Sequence, residues 1–111
     1  MNQSLEIYLQ LREQLLNRAL PRGFAVAEER REDSFGSHFI TLTKNQKAIR
    51  LVWSGHDYTF SLETTNDYEK QPLGPWNYLV DELVPFLPWS DEVISKVLIA
   101  VGDGIAKLDL E

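Results

Sequence analysis

Between Phe39 and Glu63 apolar and polar residues alternate in three runs, parted by Asn45-Gln46 and Gly55-His56. A period of two is the mark of strands with one face buried, and each polar pair suits a tight reversal. Two-residue loops at both places fix a register in which partner numbers add to 91 across the first turn and to 111 across the second. One face then collects Leu42, Ile49 and Leu62; Ile40, Leu51 and Phe60; His38, Trp53 and Tyr58. The other collects Thr43, Ala48 and Glu63; Thr41, Arg50 and Ser61; Phe39, Val52 and Thr59. A slip of one residue would exchange the two sets, so the agreement of both turns on one apolar set is the strongest signal in the chain.

The flanks change period. Leu5, Tyr8, Leu9, Leu15, Leu16, Ala19 and Leu20 recur at three and four, with Ile7 and Leu11 widening the stripe, which predicts a helix capped by Ser4 and ended by Pro21. Gly23 releases the chain into a short strand, FAVAEERRE, that ends in a charged loop. After a polar loop from Thr64, Trp76, Leu79, Val80 and Leu83 again follow helical spacing behind Pro75, and Pro85 ends or kinks that helix near Val84. Ser90 caps a last helix with Asp91 and Glu92 in its first turn. Its apolar face runs on through Val101, Ile105 and Leu108, but Gly102 and Gly104 leave open whether it stops at Val101. The expectation is one α+β domain over residues 1–111: an N-terminal helix, an antiparallel meander of about four strands, and two C-terminal helices packed on one sheet face.

Composition narrows the class. The chain has 111 residues, 43% of them apolar, enough to build a core without staples. It has no cysteine, which removes disulfides, thiolate metal sites and cysteine nucleophiles. The opening MNQSLEIYLQL lacks the basic cluster of a targeting peptide, and no apolar run approaches spanning length, so a cytoplasmic protein away from membranes is expected. Net charge is −6, and it is uneven: residues 1–63 hold eight acidic and eight basic side chains, residues 64–111 nine acidic and three basic. Such a field repels phosphate backbones and steers a basic protein inward.

Few side chains suggest chemistry. His38 beside Trp53 and Tyr58 outlines an aromatic pocket at the sheet's end, although a semi-buried ring with ordinary partners explains the same pattern. Ser54, His56 and Asp57 are neighbours in a turn, where divergent side chains make loop chemistry a better account than a triad. The Glu28–Asp33 run lacks a calcium-loop pattern, and its own arginines compete for the carboxylates. Lys44, Lys47 and Arg50 are the one local basic cluster, expected at the first hairpin and on the non-apolar face, interleaved with Phe39; an acidic domain argues against nucleic acid there. The rigid LVPFLPW segment, residues 83–89, reads as a plug between helices.

No catalytic, metal or cofactor residue is assigned. The expected function is a non-enzymatic, acidic protein-binding domain of inhibitor, immunity or secretion-chaperone type, an analogy of size, charge and architecture. A basic partner would meet the polar sheet face, which the helices leave open as a flat platform, through Phe39, Thr41, Arg50, Val52 and Thr59, and the acidic helices through Asp81, Glu82, Asp91 and Glu92. Two alternatives stand beside it: a small enzyme or ligand binder using His38, Trp53 and Tyr58, and a homodimer through the polar face.

Overall fold

In the computed structural model, residues 3–31, 36–68, 76–84 and 89–110 are described. Helix α1 (Gln3–Ala19) is followed by five strands, β1 (Ala25–Arg31), β2 (His38–Lys44), β3 (Lys47–Ser54), β4 (Thr59–Thr65) and β5 (Asn77–Leu83), and by helix α2 (Asp91–Ala106). The strands form one antiparallel sheet in chain order. Helix α1 lies over β2 and β3, α2 lies over β4 and β5, and the helices touch each other. Among the described residues no helix is long and apolar enough to cross a membrane.

The period-two runs fold as strands with the expected faces. Across Asn45-Gln46 the register is as the turn dictates, with Leu42 opposite Ile49 and Ile40 opposite Leu51, and Asn45 takes the positive φ of 56° that such a turn needs. The second turn is longer: Gly55 to Tyr58 all belong to it, and Tyr58 N–H closes it onto Ser54 C=O at 2.8 Å. Leu51 therefore faces Leu62, and Trp53 faces Phe60, two places along from the expected rows. Two places is a whole strand period, so every side chain keeps its face. Ile40, Leu42, Leu51, Phe60 and Leu62 meet Tyr8, Leu11 and Leu15 of α1 and Val97, Val101 and Ile105 of α2 in one dry core. Each fully buried large side chain contributes roughly 1.5–3 kcal/mol there.

Two further expectations are corrected. Ser4 is the second residue of α1 and not its cap. The segment from Asn77 to Leu83 is a fifth strand and not a helix, which leaves one C-terminal helix. A helix between Pro75 and Pro85 has too few turns to be stable by itself, whereas the edge of β4 offers a full ladder of backbone partners. A bulge between Val80 and Tyr78 lets Val80 join the core while Asp81 and Tyr78 face outward.

Helix α2 runs through both glycines to Ala106. The reason is proximity: a Cβ on Gly104 would stand 2.6 Å from Val80 Cγ2 and 3.2 Å from Leu62 Cδ2, so glycine lets the helix settle onto the sheet. Its ends are closed by side chains. Ser90 Oγ accepts from Val93 N–H at 3.2 Å, and Arg18 of α1 donates to the carbonyls of Ala106 and Leu108 at 2.8 and 3.0 Å. Arg12 with Glu29, and Lys96 with Glu82 at 3.3 Å, tie the helices to the two margins of the sheet.

Candidate functional site

The outer face of the sheet, away from the helices, was expected to be an open platform. It is not. Thr41 has 0% exposure, and Ala48, Ser61, Glu63 and Thr65 are also buried. The cover comes from the chain beyond β4: Tyr68 N–H donates to Gln46 C=O at 3.0 Å, and the Tyr68 ring meets Trp76 edge-on at 6.1 Å. Trp76 in turn lies over Arg50, with the guanidinium 4.0 Å from its ring centre, and Phe39 flanks the same guanidinium at 5.6 Å. Arg50 Nε donates to Thr41 Oγ1 at 3.1 Å. An arginine between two rings and a hydroxyl thus seals one half of the face.

The other half is a cleft of about 470 Å³ lined by Val52, Ser54, Asp57, Thr59, Ser61, Glu63, Tyr78 and Asp81. The ladder builds it: Arg50 faces Glu63, which faces Tyr78, and Val52 faces Ser61, which faces Asp81. Ser61 Oγ donates to Asp81 Oδ1 at 3.0 Å, while Asp57 is held in its turn by Ser54, whose hydroxyl lies 3.3 Å from Oδ2. Burial pushes the Glu63 carboxyl above its ordinary range, as does nearby Asp81, while Arg50 and a hydrogen bond from the Tyr78 hydroxyl pull it down. The Tyr78 phenol is pushed up, chiefly by the Glu63 charge. Glu63 at 7% exposure, Asp81 near it and Asp57 at the far end give the cleft three carboxyl groups, which Arg50 opposite Glu63 offsets only in part, so added positive charge is favoured there.

Of the interaction residues expected from sequence, Phe39, Thr41, Arg50, Val52, Thr59 and Asp81 share this face, with Thr41 sealed beneath. Asp81 and Glu82 lie in β5 and not in a helix. Glu82 points to the helix side, where it pairs with Lys96; Asp91 and Glu92 are exposed at the start of α2. Lys44 and Lys47 stand opposite each other on the helix side of the hairpin, so Arg50 is not part of one basic cluster with them. His38 faces Trp53 in the ladder, but its ring packs against Tyr8 at 5.4 Å. Trp53 is enclosed by Phe60, Trp89 and Tyr58, with ring centres at 4.5, 5.4 and 6.4 Å. That end of the sheet is occupied by aromatic rings. A second cleft of about 280 Å³ involves Phe24, Lys47, Ile49, Leu79 and Lys107 at the opposite end.

Among the described residues no group of three or more histidine, cysteine, aspartate or glutamate side chains is placed to hold a metal ion. Glu32 and Asp33 of the charged run, and residues 85–88 of the proline-bounded segment, lie outside the described residues. Ser61 and Glu63 were legible as outward residues from alternation alone. Tyr78 and Trp76 were hidden by the helical spacing of their segment, whose apolar residues the bulged strand divides between the two faces of the sheet. Protein-family models, curated proteins and solved structures were compared with the chain, and none matches.

Proposed function

We propose that the chain is a non-enzymatic protein-binding domain that engages a basic partner through the acidic cleft of its outer face, in an inhibitor, immunity or secretion-chaperone role. The observation that carries this reading is the Glu63 carboxyl, held at 7% exposure in a cleft shared with Asp57 and Asp81. A lysine or arginine entering there compensates a desolvated carboxylate, and its alkyl stem finds Val52 and the Tyr78 ring. The surplus negative charge of residues 64–111 adds long-range attraction in the same direction.

Calorimetric titration with a seven-residue lysine peptide tests it. Binding is expected at low ionic strength, weakening as salt rises, with Asp81→Asn costing about fivefold in affinity. Replacing Asp91→Asn and Glu92→Gln together is expected to leave affinity nearly unchanged. Absence of binding, or loss on the α2 substitutions and not on Asp81→Asn, would overturn the proposal.

A further inference from the structure

The two margins of the sheet differ. β1 ends in Glu28, Glu29, Arg30 and Arg31, with Glu28 and Arg30 paired at 3.6 Å and Glu29 bound to Arg12. Charges of both signs are a common guard on a free edge. β5 has neither lysine, arginine nor proline between Asn77 and Val84, and its bulge sits near one end. Among the described residues no strand pairs with its far side.

The hydrogen-bond phase of that edge follows from one contact. Val84 N–H donates to Tyr58 C=O at 2.9 Å, so alternation along the ladder turns the backbone groups of Glu82 and Val80 toward β4. Those of Asp81 and Leu83 then point away from the sheet. Around them, Tyr78 is 63% exposed, Leu79 50% and Leu83 70%. Tyr78, Asp81 and Leu83 share the outer face, and Asp81 also lines the acidic cleft. Among the described residues nothing bonds to the outward backbone groups of Asp81 and Leu83, so the edge offers donors and acceptors together with apolar surface and one sign of charge. A second copy of β5 would set Asp81 and Glu82 against their own kind, which disfavours self-pairing.

We infer that the outer edge of β5 accepts an extended, basic segment of a partner protein as a sixth strand. This rests on the proposed function and specifies its geometry. Backbone groups of the segment bond to Asp81 and Leu83, and its outward side chains alternate along the rim of the cleft. A lysine opposite Asp81 reaches the carboxylates, with aliphatic carbon lying over Leu83 and Tyr78.

The test uses the full chain, isotopically labelled, and a seven-residue peptide of alternating lysine and valine. At saturation the amides of Asp81 and Leu83 are expected to exchange with solvent about tenfold more slowly. Leu83→Pro deletes an amide that bonds to nothing in the sheet, and is expected to weaken binding about tenfold with circular dichroism unchanged. A peptide N-methylated at alternate residues loses the same bonds without altering the protein, and its affinity is expected to fall equally. Binding without protection of these amides, insensitive to N-methylation, overturns the sixth strand while leaving the cationic cleft standing. No binding of this peptide or of the lysine peptide overturns both. A dimer by light scattering in which free protein already protects Asp81 and Leu83 assigns the edge to a second copy and overturns the inference.

Discussion

The same strands bury two faces by different chemistry. On the helix side Ile40, Leu51 and Leu62 form a row of aliphatic side chains closed by α1 and α2. On the outer side the neighbouring row runs Thr41, Arg50, Glu63, Tyr78, closed at one end by Trp76 and open as a cleft at the other. The first face is held by burial, which is indifferent to direction and pH. The second depends on hydrogen bonds and charge in partial shelter from water, where each unmet group is costly and an incoming cation is worth more than in bulk solvent. The difference assigns stability to the first face, while the recognition we propose falls on the second.

Substitutions that break this division differ in size. Leu51→Ala, in the centre of the helix side, is expected to destabilise by about 2–5 kcal/mol in chemical denaturation. Gly104→Ala should cost about 1–3 kcal/mol although alanine favours helix, because its methyl group collides with Val80; adding Val80→Ala should recover part of the loss. On the outer side, Trp76→Ala removes the ring over Arg50 and is expected to cost about 1–2 kcal/mol, less than the core change. A cost for Trp76→Ala as large as for Leu51→Ala would show that both faces hold the fold equally.

The smallest effect is in pH. Glu63 has its carboxyl raised in the folded chain, so native protein holds a proton that the unfolded chain has lost in the window between the ordinary and raised values. Through that window its contribution to stability falls as pH rises, and is regained on acidification. Glu63→Gln should flatten the urea-unfolding profile there and leave the fold intact. An unchanged profile would mean that the carboxyl is better solvated than its burial implies.

Strand number, side-chain facing and core membership from Ile40 to Leu62 were largely readable because a period of two survives a two-residue change in loop length, as the second turn demonstrates. β5 was not readable, since Trp76, Leu79, Val80 and Leu83 stand at helical intervals in the sequence, whereas in the strand Val80 faces the helices and Leu83 the outer side, and only the free edge of β4 decides between the two. The helical run through Gly102 and Gly104 was undecidable for the same reason: the compensating contacts with Gln14, Val80 and Leu62 are distant in sequence. Alternation put Glu63 and Ser61 on the outer face, but their neighbours there, Tyr78 and Asp81, come with the pairing of β5, which local pattern does not encode.

The most direct measurement is an NMR titration of the Glu63 carboxyl, carried out with and without the alternating lysine–valine peptide. The account predicts a midpoint above the ordinary glutamate range in free protein and a clear fall when the peptide's cation stabilises the charged form. An ordinary midpoint in free protein, or one that the bound peptide does not move, would contradict it.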